Sequence, residues 1–171
     1  MTDFARLMSD YFVKYLAGQK GSGSNTMKTY RDTFVQLLEF MDEKKHIRAD
    51  CIEVDSFSYD IINEFLEYLE KEKRVSISTR NNRLAAIRSF FKYTGYHEPK
   101  YLNISTSIRE ISKKKTEGRQ MNYLSVNAME HFLNSFDKTD HKELRCFCIV
   151  LLLYESGARV TELCNVRRYD L

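Results

Sequence analysis

LLLYESGARVTELCNVRRYDL, residues Leu151–Leu171, is the stretch on which the reading of the chain turns. Leu151, Leu152 and Leu153 close a long apolar run, and such a run reads as a helix buried on most sides. Gly157 supplies the left-handed residue that ends a helix of this kind. Thr161 can cap the next helix, with Glu162 in its first turn, where the helix dipole favours an acid. Leu163 and Val166 would then face inward. Arg159 is left in the turn between two buried helices, close to a helix N-terminus. A guanidinium held beside free backbone N–H groups suits a phosphate oxygen. Taken alone, the same residues also describe a plain helix–turn–helix with an exposed Arg.

Upstream, the spacing of apolar residues predicts a first helix over about 3–17 (Phe4, Leu7, Met8, Tyr11, Phe12, Tyr15) and a flexible turn at Gly18–Ser24. Tyr30, Phe34, Leu37, Leu38 and Met41 mark a second helix. Ile61, Ile62, Phe65, Leu66 and Leu69 mark a third, capped by Ser58. Leu84, Ile87, Phe91 and Thr94 mark a fourth that ends near Gly95. Four amphipathic helices within 1–98 make a compact bundle. Pro99 and the charge run Lys113–Lys115 give 96–122 the look of a linker. Ser125 caps a further helix, and a longer apolar one runs from about Lys142 to Tyr154. With one Pro and six Gly in 171 residues, few breakers interrupt this pattern, and the expected class is all-α.

The formal charge is only +3, but it is unevenly spread. Residues 39–72 hold four Lys/Arg against eleven Asp/Glu, and residues 73–115 hold eleven against two. Such polarity predicts one face built for a polyanion. The opening MTDFARLMSDYF has acids where a secretory signal needs an apolar core. No apolar stretch reaches the roughly 18 residues of a membrane span. A cytoplasmic protein with no membrane partner is therefore expected, and its four Cys should be reduced thiols. Cys146 and Cys148 lie two apart on an apolar, buried-looking helix, with no ligand-spaced His or Cys nearby, and the four His are scattered. No metal and no cofactor are expected.

On the fourth helix, with Leu84, Ile87 and Phe91 directed at the core, the opposite face is Ser78, Asn82, Ala86 and Ser89, with Thr79 at its edge. Small and amide side chains suit close approach to a DNA groove, and Asn can pair bidentately with adenine. Arg88 and Lys92 flank that face and could reach phosphates. Lys28 and Thr29 lie away from the Tyr30/Phe34 stripe of the second helix. Lys113–Lys115 either bridges phosphates or is a solvated linker. The competing reading of all these residues is a polar helix face in water. The Tyr and Phe residues sit mostly on core stripes.

Leu152-Leu153-Tyr154-Glu155-Ser156-Gly157-Ala158-Arg159-Val160-Thr161-Glu162-Leu163, followed by Val166 and Asp170, resembles the first catalytic block of the tyrosine recombinases, the phage-integrase family. Ser156 stands where the family usually has Thr, and Ala158 where it has a larger apolar residue. The second helix matches a further family pattern in Thr26 and Tyr30, and the fourth matches another in Thr79, Arg83, Leu84, Arg88, Phe90 and Phe91. The resemblance implies a SAM-like four-helix core-binding domain over 1–98, a linker over 99–122, and at 123–171 the incomplete start of a catalytic domain. It implies that the second and fourth helices enter or border the major groove of double-stranded DNA. Lys28, Thr29, Ser78, Thr79 and Asn82 would then be the contacts. It implies that Arg159 binds the scissile phosphate, while a Tyr nucleophile forms a 3′-phosphotyrosyl link.

The H-x-x-R block and that Tyr are not found after residue 159, and Tyr169 lies too close behind Arg159 to be the nucleophile. The expectation is therefore the DNA-binding front portion of a site-specific recombinase, inactive alone, whose parent assembles with other protomers on DNA. Two alternatives stay open: a naturally short accessory protein that binds DNA without catalysis, and a helical protein–protein module.

Overall fold

The computed structural model describes residues 2–116, 118, 122–167 and 169. Every regular element among them is helical, and the chain divides into two compact units, Met1–Glu117 and Gly118–Leu171. In the first unit, α1 (Asp3–Asp10) is capped by Thr2, whose hydroxyl accepts from the Ala5 N–H at 3.2 Å. It runs on into a π-helical segment, Tyr11–Gln19. Tyr11 and Leu16 are both fully buried. In an α-helix, residues five apart lie about 140° round from each other; the wider i→i+5 turn brings them back towards one side. The expected single helix over 3–17 thus changes type at Tyr11, and the turn before the next helix shrinks to Lys20–Gly23.

Next come α2 (Ser24–Lys45), α3 (Tyr59–Lys71) and α4 (Ile77–His97). Ser58 caps α3 as expected, accepting from the Ile61 N–H, and Ser76 caps α4 through the Thr79 N–H, both at 3.2 Å. The core is largely aromatic. Phe90 packs its ring against four others, Phe4, Tyr11, Phe34 and Phe91, at 5.3–5.5 Å between centroids. Contacts of this kind add to what burial alone contributes.

The linker expected over 99–122 is not a linker in its first half. Pro99–Tyr101 forms a 3-10 turn and Leu102–Glu110 forms α5, which packs along α4. Tyr101, Ile108 and Ile111 are buried, and Ile104 packs against the same core. Their spacing of three, four and three residues is helical. Pro99 opens this stretch rather than closing one, since proline is well suited to a first helical position. The first unit therefore needs more than residues 1–98.

The helices α4 and α5 approach closely at Gly95. A Cβ there would stand 2.7 Å from Ser105 Oγ and 2.8 Å from Ser105 Cβ. Because α2, α3 and α5 all contact α4, more than one stripe of it is covered. Ala86, expected on the polar face, is fully buried. The chain's start is tied to the α4–α5 junction by polar groups: Asp3 accepts from Lys100 Nζ at 2.7 Å and Tyr101 Oη at 2.9 Å, and Arg6 pairs with Glu98 at 2.7 Å.

The second unit holds α6 (Val126–Asn134), α7 (His141–Ser156) and α8 (Val160–Asn165). Ser125 caps α6 as expected. Gly157 ends α7 in the left-handed region, at φ 62°. The apolar run is not buried: among the described residues of this unit none is, and Leu144, Ile149 and Leu152 are exposed. A helix packed chiefly against one short neighbour, α6, is covered on one side only. Cys146 and Cys148 are likewise exposed, not buried. Among the described residues no helix is long and apolar enough to cross a membrane, and no group of His, Cys, Asp or Glu could hold a metal ion.

Two measurements test these contacts. Gly95→Ala should lower the urea midpoint, costing about 1–3 kcal/mol through overpacking, although Ala is the better helix former by about 1 kcal/mol. Adding Ser105→Gly should recover most of the loss, and an unchanged midpoint for the single variant would contradict the close approach.

The second concerns Asp3, whose carboxyl is held below its ordinary value by the hydrogen bonds from Lys100 and Tyr101. A depressed carboxylate stabilises the fold above its unfolded pKa, here 3.8, and stops doing so as pH falls through the lowered value. Asp3→Asn should therefore melt lower than the parent at neutral pH, and the two melting curves should converge in acid. A gap that persists in acid would mean that the charge of Asp3 is not what matters.

Candidate nucleic-acid interface and the Arg159 turn

The face of α4 left uncovered runs Ser78, Asn82, Ala85, Ser89, Lys92 and Tyr96, at alternating spacings of four and three. Ala85 takes the place expected for Ala86: one residue is a 100° rotation, and the covered arc of α4 extends past its apolar stripe. Three grooves border this strip. One is lined by Asn25, Thr26, Thr29 and Tyr30 of α2 with Asn82 and Ala85. A second, again with Tyr30 and Ala85, adds Tyr15, Lys20, Arg88, Ser89, Lys92, Thr106, Arg109, Glu110 and Lys113. A third joins Ser78, Asn81 and Asn82 to Lys113, Lys114, Lys115 and Thr116. Shared residues make them one surface along α4. Its side chains are short at the centre and cationic at both ends, with Glu110 the acid on its wall.

This surface gathers Thr29, Ser78, Asn82, Arg88 and Lys92. Lys28 is exposed on α2 but lines none of the three grooves. Thr79 turns its hydroxyl to the cap of α4, 3.0 Å from Ser76 Oγ. Thr29 donates its hydroxyl to Asn25 O at 2.9 Å. Arg88 is half-buried and donates to the Arg109 carbonyl at the end of α5, so part of its guanidinium is already engaged. Lys92 is exposed, with its ammonium 5.8 Å from the centre of the Tyr96 ring. Arg83 is an internal strut: its Nη1 donates to Thr29 O at 2.9 Å and Thr33 Oγ1 at 3.2 Å, locking α4 to α2.

Sequence reasoning misses Lys20, Tyr15 and Arg109, which lie on other elements and show no periodicity with α4. It puts Asn82 on the open face by helical phase but gives no sign of what Asn81 does. Asn82 is exposed, whereas Asn81 spends both ends of its amide on Lys114: Nδ2 donates to Lys114 O at 2.8 Å and Oδ1 accepts from the Lys114 N–H at 3.1 Å.

In the second unit, Arg159 is the N-cap residue of α8, not a residue before a Thr161 cap. Glu162 reaches back to it, accepting from the Arg159 N–H at 2.8 Å and from Nη1 at 2.7 Å. These two donors, the backbone one first, hold the Glu162 carboxyl below its ordinary value. A carboxylate three residues into a helix satisfies a free N–H at its start better than the Thr161 hydroxyl could. The Ser156 hydroxyl steadies the turn, donating to Leu152 O and accepting from the Ala158 N–H. The Arg159 side chain is 82% exposed, so one edge of the guanidinium is held by Glu162 and the rest faces outward. Leu163 is half-buried and Val166 exposed, so α8 is not enclosed. Asp170 of the sequence pattern lies outside the described residues.

Known proteins similar to this chain are recombinases by name. A putative integrase/recombinase of Sinorhizobium fredii, y4rC, is 28% identical over 167 residues, covering 98% of this chain and 50% of that protein. A second from the same organism, y4rD, is also 28% identical over 98% of this chain and 59% of its own length. The tyrosine recombinase XerC of Staphylococcus aureus is 26% identical over 96% of this chain and 52% of its own length. The chain thus spans about half the length of the curated relatives it matches. No solved structure matches it. Residues 10–99, which run from the end of α1 to the close of α4, match the family model of the phage integrase N-terminal SAM-like domain. The chain belongs to that family.

Proposed function

We propose that the chain binds double-stranded DNA as the front part of a tyrosine-type site-specific recombinase. The α4 strip would lie against a groove, and Arg159 would be the group that meets the phosphate to be cut. The observation that carries this reading is the strip itself. Five of its residues or neighbours singled out for DNA contact line one surface, short at its centre and basic at its ends, in a chain similar almost from end to end to named recombinases. Asn82 would pair with a base edge, and Lys92 would reach a phosphate. Lys28 and Thr79 are weaker contacts on this view, Lys28 for its position and Thr79 because its hydroxyl is used locally. Work on DNA in company with further recombinase protomers would place the protein in the cytoplasm. The whole activity would be cutting and rejoining DNA through a Tyr–phosphate link, with the Tyr and the H-x-x-R block supplied from outside these 171 residues.

Binding to duplex DNA by the 171-residue chain should weaken steeply with salt, since counterion release dominates such complexes. Lys28→Glu with Lys92→Glu should flatten the dependence of log affinity on log salt by about one unit for each phosphate that is no longer neutralised. Affinity indifferent to salt would refute the reading, and a slope unchanged by the double variant would remove these two residues from the interface.

Arg159→Ala should leave duplex affinity within a few-fold, since one Arg among many phosphate contacts adds little to ground-state binding. Wherever this block is followed by the nucleophile, the same change should cut covalent protein–DNA adduct on a nicked duplex by a factor of about a hundred to a thousand. Arg159→Lys should recover little, because an ammonium cannot reproduce the two-pronged guanidinium. Full adduct formation by the Ala variant would overturn the role given to Arg159.

A further inference from the structure

We propose that Asn81, Arg80 and Glu70 are positioning residues that hold Ser112–Thr116 as a fixed basic border of the DNA-binding surface. The inference deepens the DNA-binding reading and rests on it.

Past Ile111 the chain has no apolar side chain until beyond Thr116, so burial cannot anchor it. It is nevertheless pinned by three groups. Arg80 is 5% exposed and donates from Nη1 to the Ser112 carbonyl at 3.1 Å. Asn81 grips the Lys114 backbone from both sides, through its N–H and its carbonyl. Glu70 of α3 takes the Lys114 ammonium at 2.8 Å and lies 3.2 Å from Arg80 Nε. A buried guanidinium needs such a carboxylate beside it, and removing either partner leaves an uncompensated charge.

These groups come from α3 and α4, 32–44 residues away in sequence. They fix a segment whose charged side chains are three lysines. Lys114 is consumed by the clamp. Lys113 is left lining two of the three grooves beside the α4 strip, and Lys115 lines the groove that holds Ser78 and Asn82. The ligand such an edge takes is a phosphodiester backbone running past α4. Holding the two lysines in place beforehand removes part of the ordering cost that flexible lysines would bring to binding.

The test is a double-mutant cycle on the 171-residue chain. Hydrogen exchange first reads the clamp without DNA. The Lys114 amide should be protected in the parent and released in Asn81→Ala, with α4 and α5 amides unchanged; free exchange in the parent overturns the proposal. Duplex affinity is then measured between about 50 and 200 mM salt. Lys113→Gln with Lys115→Gln should shrink the parent's affinity loss over that range by about tenfold, as expected for two phosphate contacts. In the Asn81→Ala background the same pair should change it by less than about threefold, because the lysines are no longer placed. A purely structural Asn81 would lower the melting temperature yet leave the lysine effect undiminished, and that outcome overturns the positioning role alone. Absence of any salt-dependent DNA binding by the parent overturns the DNA-binding reading and this one with it. Should Asn81→Ala not fold, Asn81→Ser, too short to reach Lys114, repeats the cycle under the same criteria.

Discussion

Burial of Phe90 among the rings of Phe4, Tyr11, Phe34 and Phe91 is the constraint on which the first unit depends. Those rings come from α1, the π-helical segment that continues it, α2 and α4 itself, so one residue closes two separate stretches of chain onto the central helix. Once α4 is anchored there, α2 and α3 must share its apolar side, and α5 takes the side opened by Gly95 and Ser105. What remains is a narrow strip bordered by α2 and α5 with no helix lying across it. The candidate interface is therefore the remainder of a packing problem: it lies where three neighbours cannot reach.

Charge follows the same geometry. The acidic segment from Glu39 to Glu72 is partly neutralised by local lysines: Lys44 pairs with Glu72, Lys45 with Glu64, Lys71 with Glu67. Such exposed pairs contribute little to stability. They do leave the basic segment with few acids to answer it. Glu70 is the acid that crosses over, and it meets Arg80 and Lys114 together.

Much of this is legible in the sequence because hydrophobic period and capping chemistry are local. Ser58, Ser125 and Gly157 end or begin their helices as expected, since each acts on a backbone group within three or four residues. The departures are long-range. Whether Ala86 or Ala85 faces outward depends on which distant parts of the chain pack against α4, and no local pattern reports that. Pro99 reads as a stop because proline is compatible with both the end and the start of a helix, and the Tyr101, Ile104, Ile108, Ile111 spacing behind it is the signal that decides between them. The burial expected for α7 fails for a different reason: an apolar run shows that a helix can be covered, not that a partner is present. Helical phase puts Asn82 rather than Asn81 on the open face, but that Asn81 is spent on Lys114 depends on a segment 33 residues away.

The uncovered strip of α4 has a consequence for how such a protein can change over generations. Ser78, Asn82 and Ala85 carry none of the ring packing around Phe90, and the residues that hold the fold lie elsewhere on the helix. Substitution along the strip is therefore largely uncoupled from stability, whereas the next residue at Ala86 or Leu84 is not. A lineage could exchange the chemistry displayed on one side of α4 position by position while its scaffold stayed under unrelaxed selection. Divergence among descendants should accordingly concentrate at intervals of three and four residues along this helix.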